Sequence, residues 1–171
     1  MNNENIHGFI ESWGRMGSVW GINNSVARVH ALLLVTENPL SLDDIANSLK
    51  ISRGNASMSL RELKNWGIIK LLKEPGDRQD YYVTESDIWK IFIAISKGRK
   101  RREFDPVHEV VRETLGHLKK DSSGAVKKRL TELNDLMATL NAIGERFLQD
   151  EDKAKYILAF LSNFVIKGKK K

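Results

Sequence analysis

Between Pro39 and Thr84 the sequence reads as helix, turn, helix and hairpin in unbroken succession, an order that few folds accept. Ile45 and Leu49 lie four apart on one face of a short helix. Lys50-Ile51 makes a tight turn, and Ser52 is placed to cap a second helix. That helix should end at Gly67, where a left-handed residue costs least. An apolar strand with Ile68, Ile69, Leu71 and Leu72 follows. Pro75-Gly76-Asp77 then turns the chain, and the β-formers Tyr81, Tyr82 and Val83 return it. These are the parts of a winged helix-turn-helix, a three-helix core plus a β-hairpin wing. Such a module sets its second helix in the major groove of double-stranded DNA.

On a 3.6-residue wheel Ala56, Leu60 and Leu63 share one face of that second helix and should pack on Ile45 and Leu49. The opposite side and the first turn present Ser52, Arg53, Gly54, Asn55, Ser57, Met58 and Arg61. Gly54 permits close backbone approach, and the free amides of a helix N-terminus favour a phosphate. Arg53 or Arg61 suits the edge of guanine, and Asn55 suits adenine. Ser52, Ser57 and Lys64 are placed to hold the helix on the DNA backbone. In the wing, Arg78 sits near the tip, Lys73 lies across from it, and Asp77 is positioned to orient the arginine. A guanidinium on a thin β-loop fits the narrow, electronegative minor groove.

The net charge of +6 adds little to this reading. Lys97, Arg99, Lys100, Arg101 and Arg102, with Lys167, Lys169, Lys170 and Lys171, supply nine positives, without which the chain would stand at −3. Residues 41–84 carry seven basic and six acidic groups, so placement rather than bulk charge carries the case. The Lys97–Arg102 cluster either contacts flanking phosphates or is a solvated helix end.

The rest of the chain is expected to be helical, giving a mainly α protein. Phe9, Trp13, Met16 and Trp20 recur at helical spacing. Gly21 to Asn24 break that helix, Ser25 is placed to cap the next, and Val26, Val29, Leu32 and Leu33 form its apolar stripe. Beyond the wing, Thr84 to Asp87 cap a helix expected to end near Lys97-Gly98, and another begins at Asp105-Pro106. Val126, Leu130, Leu133, Met137, Leu140, Gly144 and Phe147 alternate by four and three, a heptad seam calling for a partner helix. A last helix holds Ile157, Leu158, Phe160, Leu161 and Phe164 before a lysine tail. The predicted organisation is an N-terminal helix at 1–24 belonging to a dimer and effector lobe, a winged helix-turn-helix at 25–85, and a helical dimerisation region with a basic tail at 86–171. A two-fold dimer suits a palindromic operator.

Ser52-Arg53-Gly54-Asn55-Ala56-Ser57-Met58-Ser59-Leu60-Arg61-Glu62-Leu63, followed by Trp66-Gly67, resembles the recognition helix of the GbsR branch of MarR-like transcriptional regulators. Gly76-Asp77-Arg78 resembles the Asp-Arg wing motif of MarR proteins. The likeness covers about residues 25–100. It implies a homodimeric winged-helix repressor with dimer contacts from the terminal helices, and a choline-like effector in some members. A cationic effector needs aromatic faces, and Phe9, Trp13, Trp20, Trp89 and Phe92 are the candidates for such a cage. The same stripe read as core or dimer interface is the plainer alternative.

Other classes fare poorly. The absence of cysteine excludes disulfides, thiolate catalysis and cysteine-bearing zinc fingers. The four histidines lack a metal-ligand spacing, and Glu109, Glu113 and His117 on one helical face read as solvated. No phosphate loop or nucleophile elbow is found, so no enzyme, metal or cofactor is expected. No signal peptide and no apolar run of about 20 residues is evident, which points to the cytoplasm and away from membranes. The alternative function is a winged-helix protein-interaction module without DNA readout.

Overall fold

A computed structural model describes residues 3–73, 76, 78–118, 124–149 and 151–168. Its elements run α1 (Asn3–Val19), α2 (Asn24–Val35), β1 (Leu40–Ser41), α3 (Leu42–Leu49), α4 (Arg53–Asn65), β2 (Ile69–Lys73), β3 (Asp80–Thr84), α5 (Ile88–Arg99), a π-helical turn (Lys100–Phe104), α6 (Asp105–His117), α7 (Gly124–Phe147) and α8 (Glu151–Gly168). The chain divides into two units, Met1–Ile91 and Phe92–Lys171.

The first unit is a winged helix-turn-helix with α1 added. Val26, Val29, Leu32 and Leu33 of α2 are buried with Ile45 and Leu49 of α3 and Ala56, Leu60 and Leu63 of α4, as their spacing predicts. Ser41 caps α3 reciprocally. Its hydroxyl accepts the Asp44 amide at 3.1 Å, while Asp44 Oδ2 accepts the Ser41 N–H at 3.0 Å and its hydroxyl at 2.6 Å. The turn to α4 passes through Lys50, left-handed at φ 52°, whose N–H reaches the Ala46 and Asn47 carbonyls. Ser52 caps α4, accepting the Asn55 amide, and Gly67 at φ 73° ends it, both as expected. The wing pairs Ile69 with Thr84 through Lys73 with Asp80. A third short strand, β1, pairs Leu40 and Ser41 with Tyr82 and Tyr81 and gives the sheet order β1-β3-β2. Two residues carry no readable alternation, so the sequence shows no sign of it.

Three local expectations change. The cap of α2 is Asn23, whose Oδ1 accepts the Ser25 amide at 2.9 Å, rather than Ser25. On α1 the buried line is Ile10, Gly14 and Gly17, not the aromatic stripe; Trp20 is 52% exposed. Glycine permits this closeness, because a Cβ on Gly17 would meet the Ala27 methyl at 2.6 Å and one on Gly14 would meet Arg28 Cγ at 2.6 Å. So α1 packs on α2 within the unit that holds the winged helix. Arg28 fastens the arrangement, its Nη2 lying 2.6 Å from Glu11 Oε1 and 3.1 Å from the Leu49 carbonyl. The third change is that no break occurs at Lys97-Gly98. Helix continues through the π turn, where the Asp105 N–H bonds the Lys100 carbonyl five residues back. The widened turn accommodates Pro106, which lacks an N–H and would crowd an α-helical carbonyl four residues earlier.

In the second unit α6 packs on α7, and α7 on α8. The expected seam divides. Leu130, Met137, Gly144 and Phe147 are buried or half-buried, while Val126, Leu133 and Leu140 remain exposed with Leu136 and Ile143. Lys100 ties the π turn to α7, 2.7 Å from Asp105 Oδ1 and 2.6 Å from Glu145 Oε1. The Asp105 and Glu145 carboxylates hold its ammonium above the usual lysine range. The Phe164 side chain and Lys169 to Lys171 lie outside the described residues.

Gly17→Ala forces the α1–α2 contact open and should lower stability by about 1–3 kcal/mol. A urea midpoint shifted down at constant slope would show it, and an unmoved midpoint would mean α1 is free to retreat from α2. His30, on α2, is 3% exposed, and burial pushes its imidazole from 6.5 down to about 4. The unfolded chain therefore takes up this proton first, so stability is full above pH 6.5 and falls as the pH drops toward 4. Over that window the wild type should lose about 3 kcal/mol more than His30→Leu, at 1.36 kcal/mol per unit of pKa difference. Parallel stability curves for the two proteins would refute it.

Candidate nucleic-acid interface

The rotation of α4 sorts its residues. With Ala56, Ser59, Leu60 and Leu63 buried, Ser52, Arg53, Gly54, Ser57, Met58, Arg61 and Lys64 are exposed together on the outer side. Met58 is 66% exposed, the single large apolar side chain offered there among the described residues. The face thus combines cations, hydroxyls, a glycine and one thioether, next to the free amides of the helix N-terminus.

Asn55 is the exception. It is half-buried, and its Nδ2 donates to Ser25 Oγ on the first turn of α2 at 2.9 Å. Adenine recognition uses that amide edge, and here one of its N–H groups is engaged by Ser25, which links α4 to α2. Ser25, expected as a cap, is its anchor. No spacing signal connects residues 30 apart in sequence.

Beside α4 lies a groove of about 440 Å³ lined by Leu42, Asp43, Arg53, Arg78, Gln79, Asp80 and Tyr82. Arg53 reaches across to α3, its Nη1 2.9 Å from Asp43 Oδ1 and 3.1 Å from Oδ2. Asp43 and Asp44 therefore separate in role: Asp44 closes the capping box, and the Ser41 hydroxyl and backbone hold its carboxyl below the usual range. In the wing, Lys73 is paired in register with Asp80, Nζ to Oδ1 at 3.8 Å, and Arg78 borders the groove. Gly76 turns at φ 89°. Asp77 lies outside the described residues. At the wing base Lys70 and Glu85 pair at 3.0 Å; that ammonium, with the Asp87 amide, holds the Glu85 carboxyl low.

Phe9 and Trp13 have ring centroids 5.4 Å apart, and Trp13 lies 6.2 Å from His30. Trp20 is exposed and Trp89 half-buried. Phe92 meets Phe147 edge-on at 6.1 Å within the second unit. Among the described residues no group of three or more His, Asp or Glu is arranged to hold a metal ion, and no helix is long and apolar enough to cross a membrane.

Residues 20–80 match the family model of the MarR family. The chain is 25% identical over 161 residues to the HTH-type transcriptional regulator YvaV of Bacillus subtilis (strain 168), covering 87% of this chain and 90% of that one. It is 22% identical over 138 residues to the HTH-type transcriptional repressor GbsR of the same organism, covering 78% and 76%. A crystal structure of a transcriptional regulator superposes with a TM-score of 0.65 at 22% identity, over 85% of this chain and 96% of that one, and shares its fold. These relatives bear names of transcription regulators and not of enzymes, in agreement with the non-enzymatic reading.

If Asn55 is a strut, Asn55→Ala and Ser25→Ala should each cost about 1 kcal/mol of folding stability. The double variant should then fall short of their sum. Additive losses in a denaturation cycle would return Asn55 to the reading face.

Proposed function

We propose that this chain, a MarR-family winged helix across residues 20–80, is a sequence-specific double-stranded DNA-binding transcriptional regulator that acts as a homodimeric repressor. The observation that carries the reading is the outer face of α4, whose polar and cationic side chains are held outward by burial of Ala56, Leu60 and Leu63. Arg61 and Arg53 are the guanine readers, and Met58 contacts a thymine methyl. Ser52, Ser57 and Lys64 position the helix on phosphates, and Arg78, supported by Lys73 and Asp77, enters the minor groove. A helix that docks another protein would carry several apolar anchors, and α4 offers Met58 alone among its described residues.

The exposed stripe of Leu133, Leu136, Leu140 and Ile143 on α7 supports a second copy as partner, since it continues an apolar seam that α6 covers only in part. A two-fold protein places its reading helices on an inverted repeat with half-sites about one helical turn apart. The effector reading is a small cation such as choline, with Phe9, Trp13, Trp20, Trp89 and Phe92 as the aromatic candidates.

Selection of bound duplexes from a random pool at physiological salt should recover an inverted repeat. Arg61→Ala and Arg78→Ala should each weaken binding to it by about 1–3 kcal/mol while leaving the dimer intact in sedimentation. Choline added to the same assay should release the duplex. A folded protein that enriches no sequence, or full affinity in both variants, would sink the assignment.

A further inference from the structure

We infer that Asp43 sets the sequence discrimination of the α4 reading face by holding Arg53 in a base-reading pose and withholding it from phosphates. The inference rests on the DNA-binding function proposed above. Arg53 is the first residue of α4, at the positive end of the helix dipole, where a cation is disfavoured without a counter-charge. Asp43, in the first turn of α3, supplies that charge through both carboxylate oxygens on a single nitrogen, Nη1, at 2.9 and 3.1 Å.

The pair does little for folding. Its side chains are 69% and 48% exposed, and exposed ion pairs contribute little to stability. Its effect lies in geometry and charge. A guanidinium has five N–H donors in a planar fork, so occupying Nη1 leaves the Nε–Nη2 edge to meet O6 and N7 of a guanine. An unpaired arginine would instead swing to the nearest phosphate on any sequence, because backbone attraction is indifferent to the bases. The carboxylate opposes that movement and repels phosphates itself, so the wrong sequence lacks the compensating contact that the right one supplies.

The test compares full-length wild type, Asp43→Asn, Arg53→Ala and the double variant on the selected operator and on a random duplex across a salt series. Asp43→Asn keeps the side-chain shape and removes the charge. It should raise affinity for the random duplex, steepen the salt dependence by about 0.9 in the log–log slope, and lower the operator-to-random ratio about tenfold. The loss should concentrate at one guanine position. On the Arg53→Ala background the same change should leave the ratio unaltered. A wild type with no preference for any duplex overturns the proposed function and this inference with it. A discriminating wild type whose ratio is unmoved by Asp43→Asn overturns the inference alone. An equal fall in ratio on the Arg53→Ala background also overturns it, since Asp43 would then act as a bare repelling charge.

Discussion

Burial of Ala56, Leu60 and Leu63 against α2 and α3 fixes the rotation of α4 about its own axis, and the set of residues the helix offers outward follows from that rotation. A helix of this length has little stability alone, so packing and not propensity holds it in place. The buried edge is narrow, and most of the helix is polar. Turning it by one residue would put an arginine or asparagine into the core, which gives the orientation a steep energetic penalty. The Ser52 cap, the left-handed Lys50 and the Asn55–Ser25 strut refine a placement that the apolar edge already dictates.

Legibility in the sequence tracks the range of the interaction. The α4 stripe, the Ser52 cap, the Gly67 terminus and the two wing strands depend on neighbours a few residues away, and each was readable from spacing and residue type. Contacts across the fold left no such trace. Asn55 meets Ser25 at a separation of 30, Asp43 meets Arg53 at 10, and Arg28 meets Leu49 at 21. The α1 face is illegible for another reason: aromatic residues at helical spacing suggest a core, whereas the close approach there is made by Gly14 and Gly17, which a hydrophobic pattern does not register. The outward exposure of Arg53, Arg61 and Lys64 is legible in the helical period, while the separate contacts of Asp43 and Asp44 are not.

The second unit shows how one repeat can serve two surfaces. On α7 the inward line of Leu130, Met137 and Gly144 is interleaved with Asn134 and Asn141, both half-buried, so the covered side of the helix mixes apolar and polar groups. On the neighbouring stripe, Leu133, Leu136, Leu140 and Ile143 form a wholly apolar line whose members stay 41–56% exposed. A seven-residue period registers both lines as a single seam, because three- and four-residue steps fit either.

The π turn at Lys100–Phe104 also has an angular consequence. Each residue of an α-helix advances the side-chain bearing by about 100°, and a π bulge lodges one residue beyond the α-helical count. Everything after Phe104 is thereby indexed like a gear moved on by one tooth. Val111, buried on α6, owes its bearing relative to Phe92 and Ile95 to that extra residue. Deleting a single residue between 100 and 104 would restore the regular α-helical count and keep the α6 surface on its present bearing, whereas winding the same residues into a regular α-helix would turn that surface by about 100°. At this point in the chain, the number of residues matters more than their identity.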